Sequence, residues 1–233
     1  MQQADTTKEQ LEQLKQEFEE FAYIVSHDLK APVRAIANLS HWIEEDLGDN
    51  ISEDVRQNMD LMRNRANRIE RMIEALLKYS RVNRQDLDIA LTNVNELLKA
   101  VQEALGSEKS LVLHVSQSLP TFDTYKTKLY QVFTNLLQNT VSFSPKPVVN
   151  VTVEFSKKGT DYEFVVSDDG IGIPEEALDK VFKLFYTVSP KDSVDTVGAG
   201  LAITKKIVQF VNGKVEAEQN SPHGTTIRFT WPS

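Results

Sequence analysis

Apolar residues recur along the first third of the chain at alternating steps of three and four. Leu11, Leu14, Phe18, Phe21 and Val25 keep this rhythm, with Glu12, Lys15, Glu17, Glu19 and Glu20 between them. That is a coiled-coil seam with a solvated opposite face. The stripe continues through Leu29, Pro32, Ile36, Leu39 and Ile43, until Leu47-Gly48 stops it with glycine at a C-cap. Ser52 then offers an N-cap. A second stripe follows at Val55, Met59, Met62, Ala66, Ile69, Ile73 and Leu76. The pattern predicts two long antiparallel helices. Such a hairpin is too thin to bury its own core, so pairing into a four-helix bundle, and hence a homodimer, is expected.

The rhythm ends after Arg84, and residues 85–90 read as a short linker. Beyond it the period changes. Thr92 or Asn93 can cap a helix over 94–105, residues 111–115 alternate as a strand, and 125–143 form a strong amphipathic helix. Strands are predicted at 148–155 and 162–167, joined by a turn at Lys157-Lys158-Gly159-Thr160. A helix over 201–211 and strands over 214–218 and 226–231 complete the list. Hairpin-linked strands mixed with helices predict a layered α+β sandwich and not a doubly wound sheet. The boundaries are then 1–23 for a coiled-coil signalling helix, 24–84 for the helical hairpin and 85–233 for the sandwich.

Composition narrows the classes. The 233 residues carry a net charge of −8, which argues against nucleic acid or an anionic membrane as the main partner. There is no cysteine, so disulfides and zinc-thiolate sites are excluded. No apolar run is long enough to span a bilayer, and no signal peptide opens the chain. The chain reads as a cytoplasmic protein, either whole or cut from a larger receptor.

Candidate chemistry gathers at four places. His27 lies beside the stripe, facing solvent, with Asp28 next to it and Pro32 placed to bend the helix one turn on. His41, His114 and His223 have no such neighbourhood. Asn135 and Asn139 are four apart on one helix and share a face, where a carboxamide oxygen can ligate Mg²⁺. Asp168-Asp169-Gly170-Ile171-Gly172-Ile173-Pro174 ends a strand, so a flat ligand can approach the glycines while a carboxylate accepts from its amino group. Gly198-Ala199-Gly200-Leu201 opens a helix, where backbone N–H groups suit phosphate. Each string alone has a bland explanation as a polar helix face, a tight turn or a loop-to-helix junction. Their order and contexts together point to a nucleotide site.

Taken together, the strings resemble those of sensor histidine kinases, and the resemblance runs from about residue 20 to the end. Ser26-His27-Asp28-Leu29-Lys30-Ala31-Pro32 resembles the phosphoacceptor box. Residues 135–144 resemble the asparagine box, and 168–174 and 198–203 resemble the two glycine boxes. Residues 181–186 resemble the phenylalanine box and 224–229 the closing strand. The resemblance implies a dimeric phosphotransfer hairpin followed by an α/β sandwich of the Bergerat (GHKL) type. It implies that His27 is the nucleophile and that Asp28 orients it. Mg²⁺-ATP would be held by Asn135, Asn139, Phe143, Asp168, Gly170, Gly172, Phe185, Lys191, Gly198, Gly200 and Leu201, with Asn139 as metal ligand. Residues 187–197 would be a lid, the segment near 85 a hinge, and Ala31, Arg34, Ala35 and Asn38 the dock for a response-regulator receiver. An upstream sensor would feed the coiled coil.

The chain departs from the family pattern at three positions. Ser142 stands where a cation is usual, with Lys146 the nearest replacement. Ala31 stands where a residue that orients water is usual, which implies a poor phosphatase. Thr196 stands at the first glycine of the second glycine box. These departures sustain an alternative reading as a pseudokinase scaffold that binds ATP or a regulator without chemistry. An ATP-driven clamp would leave the neighbourhood of His27 unexplained.

Overall fold

The computed structural model describes residues 2–106, 110–115, 118–188, 196–220 and 223–233. It divides into two units, Met1–Arg81 and Val82–Ser233. Residues 82–84, grouped with the hairpin on sequence grounds, fall in the second unit.

The first unit is a hairpin of α1 (Gln2–Leu47) and α2 (Glu53–Arg81). α1 ends in a 3₁₀ turn over Gly48–Asn50, where Gly48 takes a left-handed φ of +53°. Ser52 starts α2 as a cap, its hydroxyl accepting the Val55 N–H at 3.3 Å. α1 runs unbroken through Pro32, which has no N–H to give the Asp28 carbonyl four residues back. The two helices meet along small side chains. Ala22, Ser26, Ser40, Ala66 and Ala75 are buried, together with Val33 and Ile73. The Ser40 hydroxyl donates to the Met59 carbonyl at 3.1 Å. Lys30–Glu74 at 3.1 Å and Arg34–Glu70 at 2.6 Å cross the outside of the hairpin, where solvent leaves them little energy but a clear register.

The predicted seam fills this contact only at Ala66 and Ile73 of the second stripe. Leu14, Phe18, Phe21, Leu29, Ile36, Leu39 and Ile43 stay exposed in the single chain, as do Val55, Met62 and Ile69 of α2. The side chain of Leu11 lies outside the described residues. The reason is geometric. Small residues beside the stripe let the two helices approach each other, and the large residues turn outward.

The second unit is a sandwich. One layer is a five-stranded sheet in the order β2-β4-β5-β7-β6, with β2 (Ser110–Val115), β4 (Val148–Lys158), β5 (Asp161–Asp168), β6 (Val215–Gln219) and β7 (Thr225–Pro232). β2 pairs parallel with β4, and the other neighbours are antiparallel. The other layer is α3 (Val94–Leu105), α4 (Lys126–Phe143) and α5 (Gly200–Phe210). Period-two residues Val149, Val151 and Val153 of β4, Phe164 and Val166 of β5, and Ile227, Phe229 and Trp231 of β7 are buried. Leu129, Val132, Phe133, Leu136 and Leu137 of α4 are buried at helical spacing. Phe133, Phe164 and Phe229 form the centre, with Phe164 and Phe229 stacked at 5.2 Å.

Two strands escaped the sequence pattern. β1 (Ile89–Asn93) and β3 (Thr121–Tyr125) form a separate antiparallel pair, so the expected linker is already a strand at Ile89 and Ala90. Ile89 and Leu91 point outward, and that hid the usual in-and-out alternation. Asn93 caps α3, accepting from the Asn95 N–H at 2.9 Å. The β4–β5 turn is shorter than predicted, because the ladder continues to Lys158↔Asp161 and leaves only Gly159 and Thr160 between.

Phe164→Ala is expected to cost about 3–5 kcal/mol, because it opens a cavity among rings that cannot collapse together. Denaturant unfolding of the isolated second unit measures it.

Candidate functional site

In the hairpin, the His27 and Asp28 side chains are open to solvent, at 75% and 71% exposure. His27 Nδ1 and Asp28 Oδ1 lie 3.1 Å apart. One imidazole nitrogen is thus occupied and the ring is held by a carboxylate. The Tyr23 ring stands 6.3 Å from the His27 ring, and the Arg81 guanidinium lies 5.3 Å from the Tyr23 centroid. Ala31, Arg34, Ala35 and Asn38 are all exposed on the following turns.

In the sandwich, three segments far apart in sequence meet at the C-terminal turn of α4. The first contact is between Asn139 and the start of α5. A Cβ placed on Gly200 would stand 3.4 Å from Asn139 Oδ1 and 3.7 Å from Asn135 Cβ. The Asn135 amide donates to the Thr204 hydroxyl at 3.3 Å, which ties α4 to α5. α5 begins behind Ala199, whose methyl side chain cannot cap its first N–H groups.

Gly198, just ahead, takes φ +69°, and a Cβ there would collide with the Tyr186 carbonyl. The Phe185 N–H donates to the Gly198 carbonyl at 2.8 Å, and Phe185 itself adopts a left-handed φ of +65°. The two stems of the expected lid are therefore pinned together. Lys191 and the rest of residues 189–195 lie outside the described residues.

The second contact is at the end of β5. Asp168 Oδ1 accepts the Gly170 N–H at 2.8 Å and the Thr225 N–H at 3.2 Å. Burial pushes this carboxyl above its ordinary pKa. The two backbone donors and the Thr140 hydroxyl oppose that, while the charge on Asp169 adds to it. The Asn220 amide donates to the Asp168 carbonyl at 3.2 Å. Gly224, at φ +110°, lies so close that a Cβ would strike the same carbonyl. Gly170 is buried, while Gly172, Leu201 and Phe143 are half-buried around this corner.

Asp169 faces the other way. Lys146 donates to its carboxylate at 2.8 Å, and Asn150 donates through its N–H at 3.1 Å and its side chain at 3.0 Å. Burial raises this carboxyl, but the bonds from Lys146 and Asn150 outweigh it and hold the pKa at about 2. Lys146 is thus engaged by Asp169. Ser142 accepts from the Gln138 amide at 3.3 Å.

This arrangement offers a helix N-terminus without an N-cap side chain, a carboxamide beside it and a half-buried carboxylate at one corner. Those donor types fit a Mg²⁺-nucleotide. Two family models match the chain. The model for histidine kinase-, DNA gyrase B- and HSP90-like ATPases covers residues 124–233, and the His Kinase A (phospho-acceptor) domain covers residues 19–85. The chain belongs to the sensor histidine kinases.

Known histidine kinases and phytochromes align with nearly the whole of it. Cyanobacterial phytochrome B of a Nostoc species is 33% identical over 226 residues, covering 95% of this chain and 30% of that protein. Sensor histidine kinase WalK of Bacillus subtilis is 27% identical, covering 95% of this chain and 38% of that protein. The chain spans about a third of the length of such relatives. Among solved structures, full-length ShkA in complex with AMPPNP superposes with a TM-score of 0.65 at 21% identity, over 91% of this chain and 45% of that one. Acinetobacter baumannii AdeS superposes at 0.59 and 17%, over 88% of this chain and 97% of that one. At these identities the structural likeness bears on the fold alone. No helix among the described residues of this histidine kinase is long and apolar enough to cross a membrane.

Sequence reasoning missed the residues that hold Asp168 in place. Thr225 opens the closing strand, Gly224 lies just before it and Asn220 just after β6. The Gly224-Thr225-Thr226 string was visible as a motif, but its contact with residue 168 depends on the β5–β7 pairing.

Asp168→Asn keeps an oxygen for the Gly170 and Thr225 donors and presents an NH₂ where a ligand amino group would need an acceptor. ATP affinity is expected to fall at least about tenfold by titration calorimetry. The melting temperature should stay level or rise, since a charge disfavoured in the folded state at neutral pH is removed. Asp169→Asn should lower the melting temperature modestly at pH 7, the pair being partly solvated. Its folded pKa is depressed from 3.8 to about 2, so its stabilisation is full above 3.8 and is lost as pH falls through 2. Melts of wild type and variant should therefore converge at the acid end.

Proposed function

We propose that this chain is an ATP-dependent histidine kinase. It transfers the γ-phosphoryl group of Mg²⁺-ATP to His27 and then to an aspartate of a response-regulator receiver domain. The observation that carries this reading is the approach of Asn139 to the start of α5 at Gly200, with the Asp168 corner on the same helix end. Bound Mg²⁺-ATP supplies the phosphoryl group and neutralises charge on it.

The roles of the chain's own residues follow from their chemistry. Asn139 offers its carboxamide oxygen to the metal, with Asn135 bracing α4 against α5. The α5 N–H groups at Gly200 and Leu201, and the backbone at Gly198, receive the phosphates. Asp168 accepts from the adenine amino group, with Gly170, Gly172, Phe143 and Phe185 shaping the space around the base. Lys191 is a further phosphate contact from the lid.

At His27, the proton on Nδ1 is shared with Asp28, which leaves the Nε2 lone pair to attack phosphorus. The N–P bond forms as the bond to the ADP oxygen breaks, and the imidazole proton passes to Asp28 and then to water. Catalysis is mainly positioning and charge neutralisation, so the nucleotide unit must close on the hairpin.

The exposed stripe of Leu14, Phe18, Phe21, Leu29, Ile36, Leu39 and Ile43 supports a second copy of this chain as partner, completing a four-helix bundle. The exposed Ala31, Arg34, Ala35 and Asn38 form the receiver dock. An upstream sensor acts through the start of α1. The ATP requirement places the activity in the cytoplasm.

Incubation with γ-labelled ATP and Mg²⁺ tests the reading. Acid-labile, alkali-stable label is expected on the wild type, with none on His27→Gln and at least about a hundredfold less on Asn139→Ala. Label persisting on His27→Gln, or ATP bound by a wild type that never labels, would refute it.

A further inference from the structure

Lys128 is the third residue of α4, and its side chain is buried inside the second unit with only 2% of the residue exposed. A buried ammonium persists only where donors and charge find partners. Here the partners are main-chain. Nζ donates to the carbonyl of Val82 and, at 2.9 Å, to the carbonyl of Gln85. It also stands 4.5 Å from the centroid of Phe210, the last residue of α5. Asp86 follows with a left-handed φ of +56°, and Val82 is itself buried. Burial holds the ammonium below its ordinary pKa, with the charge on Asp86 pulling the other way. Three pieces of chain therefore converge on one side chain: the segment that leaves the hairpin, the start of α4 and the end of α5. The opposite ends of the same two helices carry Asn139 and Gly200.

We infer that Lys128 is a positioning residue for phosphoryl transfer, latching residues 82–86 to α4 and α5 so that the pivot between the units lies at Arg81–Val82 and not within 85–90. This rests on the kinase reading above, since a pivot matters to the reaction only if the nucleotide must be brought to His27. The physical reason is tether length. A free segment would let the nucleotide unit sample a larger volume around the hairpin, lowering the effective concentration of phosphate at the imidazole. A latched segment moves with the helices that hold the nucleotide, so fewer orientations are available and more of them are productive. Lys128 touches neither nucleotide nor His27 in this scheme. Its effect belongs to the encounter of the units and not to ATP affinity.

Amide hydrogen exchange and autophosphorylation of the full chain, in wild type, Lys128→Met, Lys128→Arg and Phe210→Leu, test the latch. In Lys128→Met, exchange across 82–86 is expected to rise at least about tenfold, while amides of 129–140 stay within about twofold. The kcat for autophosphorylation falls about five- to tenfold, with KM for ATP within about twofold. Lys128→Arg keeps the charge and recovers at least about half of the exchange protection. Phe210→Leu removes the ring beneath the ammonium, gives a smaller rise in the same segment, and serves if Lys128→Met does not fold.

Unchanged exchange at 82–86 in Lys128→Met, or in Phe210→Leu where that variant is needed, overturns the latch. KM for ATP rising in step with the fall in kcat also overturns it, because Lys128 is then only a brace for the nucleotide site. A wild type that never labels sinks the kinase reading separately, and the exchange measurement still decides the latch.

Discussion

The Asn139 carboxamide and the Gly200 backbone are close enough that a single added methyl would be in van der Waals contact with the amide. One turn of α4 thus sets the distance between a side chain suited to a hard cation and a helix start suited to phosphate. The next residue on that turn, Thr140, reaches the Asp168 carboxyl at the end of β5. If α4 shifted along its axis by one residue, about 1.5 Å, both relations would fail together. The buried faces of α4 and the sheet exist, in functional terms, to prevent that shift. Phe133 on α4 stands 5.7 Å from both Phe164 and Phe229, and rings packed this way leave no room for sliding.

Polar contacts then fix what packing leaves loose. Asp168 is held by backbone donors from its own turn and from the last strand, and Asn220 secures its carbonyl. Asp169, one residue on, is turned outward by Lys146 and Asn150. Two adjacent carboxylates therefore have opposite electrostatic settings. One is lifted by burial and the other is held down by an ammonium and amides. The division suits a site that needs one acceptor aimed inward and a second anchor tying the loop after α4 to the sheet. The hairpin works differently. Its helices touch mainly through small residues, its Lys30–Glu74 and Arg34–Glu70 pairs are solvated, and most of its large apolar side chains face outward. It presents more apolar surface than core, and the His27 imidazole lies exposed on it.

The sequence alone determined the helices, most strands, the cap at Ser52, a choice of Thr92 or Asn93 for the cap of α3, and the candidate residues for the chemistry. These are local: periodicity, capping and glycine placement are written within a few positions of one another. Even the two asparagines on one face needed nothing beyond helical spacing. Tertiary structure decided the rest. β1 has no clean alternation, because its outward Ile89 and Leu91 are apolar, so pairing with the distant β3 defines it. The seam was legible, but which side of it meets α2 was not, since small residues that permit close approach leave no apolar signal. The support of Asp168 by Thr225, the capture of Lys146 by Asp169 and the burial of Lys128 under residues 82–86 all join positions far apart in the chain. An ammonium's partner is settled by which acceptors folding brings within about 3 Å, and no local pattern encodes that.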